Sequence, residues 1–284
     1  KLGVEADKLK PLLCALAAAG PLKVENSLFA NSSEANRFLV RGLSTYRGGK
    51  HEVLLSNWQA GLRTAESIQT GAPQAKLDFA GASALELETF YRSNHAQAQR
   101  RGRELTATFD LSSHRSLLDV GGGSGGLAIA VTETHPHIQA TVAELPTVTP
   151  ITRRIVEEAG ANGRVQVQSS DAINESLSGA FDAAVLSSFI QVISRDQARR
   201  ALQNVGKVVN PEGAIYIRGD IVDDSSISPL GSVMRNLVYL NIYDQGQAYT
   251  EHEHREWLTA AGFADFERKI LPDGFSMVRA RKAK

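Results

Sequence analysis

Residues 117–127 read LLDVGGGSGGL. An apolar run at 116–120 ends in glycines and passes into LAIAVTET, which has a more helical alternation. The pattern predicts a buried strand, a tight turn and a helix start, the first half of a βαβ unit. Glycines suit the turn because they permit positive φ and let a ligand approach the backbone closely. The helix that follows points its free N–H groups at the same ligand.

Downstream the same grammar repeats. Strands are predicted at 138–145 (ending Glu144-Leu145-Pro146), 164–171, 181–188 and 214–220, with helices at 150–160 and 194–209. A helix over 250–261 opens with a Thr250/Glu253 capping box. FADFERKIL and FSMVRARK close the chain as an antiparallel pair. Strand–helix alternation implies a parallel sheet covered on both faces. Upstream, 4–19 has helical periodicity despite Pro11, LKVENSLFANS reads as a short β-ribbon, and 36–68 and 82–108 read as helices. Helix followed by ribbon is winged-helix grammar. The expected division is therefore a mainly helical, winged-helix-like domain at 1–108 and an α/β domain at 109–284.

With 284 residues the chain can bury a substantial core. Its 31 basic and 31 acidic residues leave no electrostatic footprint for nucleic acid or anionic membrane. The N-terminal helix and ribbon mix in Glu5, Asp7 and Glu25, which argues for a structural or dimerisation role over DNA binding. No apolar run approaches the roughly 20 residues that span a bilayer, and no secretory pattern opens the chain. A lone cysteine, Cys14, sits in an apolar run and is expected to be a small core residue; it fits a cytoplasmic location. The chain starts without methionine in the middle of a helical module, so upstream residues are expected to be missing.

Two ligand classes compete for the glycine turn. Gly121, Gly123 and Gly126 satisfy G-x-G-x-x-G, which admits a dinucleotide. Asp119 argues the other way: a carboxylate at the strand tip repels a pyrophosphate but accepts hydrogen bonds from an ammonium group. S-adenosylmethionine (SAM) carries an ammonium and a sulfonium and no phosphate. Ligands of such sheets bind beyond the carboxyl ends of the strands, and Asp119, Glu144, Asp171 and Asp220 all sit at or just past predicted strand ends. Glu144 stands where a carboxylate grips ribose hydroxyls, and Asp171 where one accepts an adenine amino group. Singly each is a helix cap or loop residue. Together with the glycine turn they read as a nucleoside site.

From about residue 4 to 281 the chain resembles the SAM-dependent O-methyltransferases of the caffeate and hydroxyindole type, on LLDVGGGSGG, AELP, SSDA and TEHEHREWLTAAGF. The resemblance implies a Rossmann-like class I methyltransferase sheet behind an N-terminal winged-helix dimerisation module. It implies SAM held by Asp119, Gly121, Gly123, Glu144 and Asp171, with Ser187 at the end of the fourth strand, and release of S-adenosylhomocysteine. It also implies a homodimer acting on a small-molecule acceptor.

The departures bear on the acceptor. Many members carry LHDWSDE after the fourth strand, and its histidine deprotonates a phenol. Here the segment is IQVISRD (190–196), with Gln191 at the histidine position. The family's first supporting acid falls on Asp220 and its second on Ala248. A phenol of pKa about 10 needs a base, and glutamine accepts no proton at neutral pH. A thioether, thiolate or neutral amine needs none. The sequence reading therefore leans to base-independent S-methylation of a thioether such as methylthiohydroxybutyrate, with a new sulfonium steadied by aromatic faces. The alternative is an O- or N-methyltransferase of an aromatic secondary metabolite with His95 as replacement base. A SAM-sensing winged-helix regulator and a dinucleotide oxidoreductase are weaker rivals.

Acceptor-side candidates are Tyr91, Asn94 and His95, which share a helical face, and Arg235, Tyr239 and Asn241 in MRNLVYLNIYD (234–244). Arg235 is the expected carboxylate clamp. His252 and His254 stand two apart, do not face together on a helix, and give no metal site.

Overall fold

The computed structural model describes residues 3–41, 43, 46, 50–77, 79 and 81–284, and at 50–54 the backbone alone. It divides into two compact units, Lys1–Gln59 and Ala60–Lys284. The break falls ahead of the expected 108/109 division.

The first unit opens with α1 (Ala6–Ala18), a hairpin of β1 (Leu22–Glu25) and β2 (Leu28–Asn31), and α2 (Ser33–Phe38), which Ser32 caps through the Ala35 N–H. α1 buries none of its residues, and Cys14 is exposed rather than a core residue. The helix expected over 36–68 is instead α2, α3 (Lys50–Gly61) and α4 (Thr64–Thr70); residues 42, 44, 45 and 47–49 of that stretch lie outside the described residues. Gly71, in the left-handed region at φ +67°, ends α4.

α5 (Ala84–Thr108) begins at a Ser83/Glu86 capping box. The α/β order then follows as β3 (Ser116–Val120), α6 (Gly126–Thr134), β4 (Gln139–Glu144), α7 (Thr149–Glu158), β5 (Val165–Ser169), β6 (Phe181–Ser187), α8 (Arg195–Val208) and β7 (Val209–Gly219). The chain ends with β8 (Ile221–Val222), α9 (Leu230–Ile242), β9 (Tyr249–Thr250), α10 (Glu251–Ala260), β10 (Phe263–Ile270) and β11 (Ser276–Lys282). One sheet has the order β10-β11-β7-β6-β3-β4-β5, parallel from β5 to β7, with β11 and β10 added antiparallel. A two-residue parallel pair, β8 with β9, lies apart from it.

Strand alternation builds two cores from neighbouring residues. Leu117, Val185 and Tyr216 face one layer, packed with Leu105 of α5 and Leu127 of α6. Leu118, Leu186 and Ile217 face the other, packed with Leu202 of α8 and Trp257 of α10. α5 crosses α6 at small residues: a Cβ on Gly102 would come 2.6 Å from the Leu127 carbonyl oxygen. So α5 lies in the same layer as α6, and its Ala98 and the His95 carbonyl meet Gly126 at the start of α6. Among the described residues, no helix is long and apolar enough to cross a membrane.

Candidate active site

β3 delivers Asp119 to the centre of the sheet, 1% exposed, beneath the glycine turn. Neither carboxyl oxygen has a hydrogen-bond partner beyond the weak pull of the Ala128 N–H. Burial, and then the Glu144 charge, push this carboxyl up to about 7. The turn itself requires glycine: Gly121 and Gly123 take φ of +64° and +55°. A Cβ at Gly121 would lie 2.5 Å from the Phe189 ring, and one at Gly123 would lie 3.0 Å from Tyr91, so aromatic faces lie directly on the turn's backbone.

Glu144 closes β4 and holds the turn from below. Its carboxylate accepts the Gly123 N–H at 2.8 Å and the Leu145 N–H at 2.8 Å, while burial raises its pKa. Ser187, paired in register with Arg218 of β7, has a buried hydroxyl without a partner. Asp171 follows β5 and accepts the N–H groups of Ile173 at 2.9 Å and Asn174 at 3.2 Å. Although burial opposes it, these bonds and the Asn174 amide hold Asp171 below the usual carboxylate range.

These donors and acceptors fit SAM. Two orphaned carboxyl oxygens at Asp119 match an ammonium group and would repel a pyrophosphate. Glu144 retains lone pairs for ribose hydroxyls beyond the two N–H groups that it accepts. When bound, SAM supplies an electrophilic methyl group on a sulfonium.

The α5 candidates separate on inspection. Tyr91 lies on Gly123, against the glycine turn, and burial and then Glu144 raise its hydroxyl well above the usual range. The Asn94 amide donates to Phe90 O of its own helix. His95 Nδ1 sits 3.0 Å from the Ser124 hydroxyl, and burial first, then Arg92, lowers its pKa. Glu133 and Glu158, at the ends of α6 and α7, are its other charged neighbours. His95 thus ties α5 to the turn through Ser124.

On the far side of the sheet's centre, Asp220 follows β7 and is 1% exposed. It accepts the Ser232 hydroxyl at 2.9 Å, Arg235 Nε at 2.7 Å and the Tyr239 hydroxyl in a short bond. Burial, then Asp220, raises the Tyr239 phenol above its usual range, and pushes Tyr243 up to about 12. Arg235 also donates to Asp273 O at 3.1 Å and stacks on Phe275 at 3.8 Å. Its fork is committed to the fold, which corrects the expected carboxylate clamp. Asn241 is likewise corrected: fully buried, it accepts the Ser67 hydroxyl at 2.8 Å and donates to Thr64 at 3.0 Å, tying α9 to α4. Gln191 is 4% exposed, in a single 3₁₀ turn (Ile190–Val192), with its amide oxygen 2.8 Å from where a Gly219 Cβ would stand. It therefore neighbours Asp220 along the chain path of β7.

Sequence reasoning passed over two arginines here. Arg218 precedes Asp220 by two residues and shares its strand face; it is 4% exposed, with Nη1 buried and unpartnered. Arg101 of α5 has a buried Nε without a partner. A charged residue inside the apolar strand AIYIRGD was the available signal for the first. Seven residues, two helical turns, separate Arg101 from Asn94, which was the signal for the second. The histidines of α10 stay apart from this site: His254 Nδ1 pairs with Thr250 O at 2.9 Å, and burial pushes its pKa down to about 4. Among the described residues, no group of three His, Cys, Asp or Glu is placed to hold a metal ion.

Comparison with known proteins bears on this arrangement. Residues 70–264 match the family model of the O-methyltransferase domain. The chain is 28% identical to the 3-hydroxy-5-methyl-1-naphthoate 3-O-methyltransferase of Streptomyces sahachiroi, over 93% of this chain and 78% of that protein. It is 28% identical to the N,N-dimethyltransferase OxyT of Streptomyces rimosus, over 89% and 76%. Human N-acetylserotonin methyltransferase in complex with SAM superposes with a TM-score of 0.84 at 21% identity, covering 99% of this chain and 84% of that one.

Proposed function

The chain belongs to the O-methyltransferase domain family and is a SAM-dependent methyltransferase, and from that premise we propose that it methylates an oxygen or nitrogen of a small aromatic acceptor. The observation that carries the reading is the pair of relatives at 28% identity, one named for O-methylation of a hydroxynaphthoate and one for N,N-dimethylation. The thioether acceptor expected from Gln191 gives way to this reading. Aromatic walls support it: the Tyr239 and Tyr243 rings lie 5.4 Å apart beside Asp220, and Phe189 covers Gly121.

In this reading Asp119, Gly121, Gly123, Glu144 and Ser187 hold the donor, and Asp171 faces its adenine. Gln191 aligns the acceptor by hydrogen bonding, while Asp220 and Tyr239 fix the wall behind it. Methyl transfer then depends on alignment and exclusion of water more than on proton abstraction. The test uses SAM bearing a deuterated methyl group with a phenol, an aryl amine and a thioether. Mass spectrometry is expected to find the label on oxygen or nitrogen; label only on sulfur would overturn the proposal.

The same reading includes a homodimer formed through the N-terminal unit. Support comes from that unit's poor burial: Leu12, Val24, Leu28 and Trp58 are all more than half exposed.

A further inference from the structure

We propose that the Phe189 ring lies against the sulfonium of the bound methyl donor and discriminates charged SAM from its uncharged product, S-adenosylhomocysteine (SAH). The inference rests on the placement of the donor between Asp119 and Glu144, and it is independent of which acceptor is methylated.

The glycine turn supplies the order of contacts. Gly121 follows Asp119 by two residues and donates its N–H at 2.8 Å to the carbonyl of Ala143, the residue before Glu144. Gly123 donates to the Glu144 carboxylate itself, also at 2.8 Å. The ammonium partner, Gly121, Gly123 and the ribose partner therefore come in that sequence along the turn. In SAM the sulfonium stands between the amino-acid group and the ribose. A donor held at both ends thus carries its sulfonium past Gly121.

Two rings lie on this backbone. A Cβ on Gly121 would stand 2.5 and 3.0 Å from Cδ2 and Cε2 of Phe189, and one on Gly123 would stand 3.0 Å from Tyr91. Tyr91 is thus at the ribose end and Phe189 at the sulfonium. The chain holds Phe189 there by a sharp turn off β6. Ser188 takes φ +58°, a left-handed conformation that residues with a Cβ rarely adopt, and donates its N–H to Arg218 O at 2.7 Å. Ile190, 2% exposed, anchors the other side of Phe189 in the core. Gln191 comes next, so the ring stands between the donor turn and the residue assigned to the acceptor.

An aromatic face attracts a cation, most strongly where water is kept out. Phe109, Phe263, Phe266 and Phe275 each carry a lysine or arginine over the ring, at 4.6, 5.1, 4.2 and 3.8 Å. Among the described residues, no protein cation lies over Phe189, which leaves its face to the donor. Transfer of the methyl to an acceptor lone pair returns the C–S electron pair to sulfur and leaves a neutral thioether. The attraction then ends, so the ring favours donor over product.

The test is calorimetric titration of SAM and of SAH into wild type, Phe189→Leu and Phe189→Tyr. Asp119 and Glu144 also favour a cation, so the ring's share is the change in preference when the ring alone is removed. The preference for SAM over SAH should fall about threefold or more in Phe189→Leu and persist in Phe189→Tyr. An unchanged preference would overturn the proposal, because a merely structural role weakens both ligands alike. A second arm needs wild type only: with an NMR-labelled methyl group on SAM, the bound methyl signal should move upfield in the ring current. An unmoved signal would overturn the proposal even if the variants fail to fold. An upfield shift that persists in Phe189→Leu would overturn it too, by assigning the ring to Tyr91. Failure of the donor placement reads differently: Asp119→Asn and Glu144→Gln would then bind SAM as tightly as wild type, which removes the premise and the proposal together.

Discussion

A carboxyl group as deeply buried as Asp119, with both oxygens unpaired, destabilises the ligand-free protein when it ionises. Its folded value of about 7 stands above that of a free aspartate, so the protonated form favours the fold. The contribution is full in acid and is lost as pH rises through about 7. Asp119→Asn is therefore expected to raise the stability of the free protein by about 3 kcal/mol at pH 8, and by less near pH 5, in denaturant unfolding. His95 carries the opposite kind of prediction. Because it ties α5 to Ser124, His95→Ala should cost about 1 kcal/mol of stability and leave the pH profile of kcat/KM unchanged in shape. An acid limb present in the wild type and lost in the variant would instead assign His95 as the base.

At the scale of elements, the approach of α5 to α6 positions the whole donor turn. A Cβ on Gly102 would meet the Leu127 carbonyl at 2.6 Å and the Ala130 methyl at 2.8 Å, both on the α6 backbone or its first carbon. Gly102→Ala should lower stability by about 1–3 kcal/mol and lower SAM affinity with it, measured by thermal melts with and without SAH. The strands were legible because each pairs an apolar run with a turn signal, and β3 to β7, β10 and β11 stand near their expected places. The acids Asp119, Glu144 and Asp171 were legible for the same reason, as strand ends are marked in sequence. Roles on α5 and α9 were not. Which neighbour Arg235 grips, or that Asn241 meets Ser67 from 174 residues away, is set by tertiary approach and leaves no periodic trace. α9 in particular exposes Met234, Leu237 and Leu240, so its apolar spacing does not distinguish a pocket wall from a surface helix. Gln191 was noticed only as a missing histidine; its burial over Gly219 comes from the fold.

For the whole molecule, the N-terminal unit and the α/β unit pose different questions. In the first, Leu28 is 71% exposed at the hairpin and no residue of α1 is buried, which a second copy of the chain would cover. Sedimentation velocity should show a dimer, and Leu28→Asp should shift it to monomer; a monomeric wild type would remove the dimer from the account. In the second, the central claim is that Asp119 and Glu144 hold the methyl donor. Calorimetric titration of SAH into wild type, Asp119→Asn and Glu144→Gln tests it most directly. The account predicts binding to wild type and a loss of about tenfold or more in each variant. Equal affinity in all three folded proteins would contradict it.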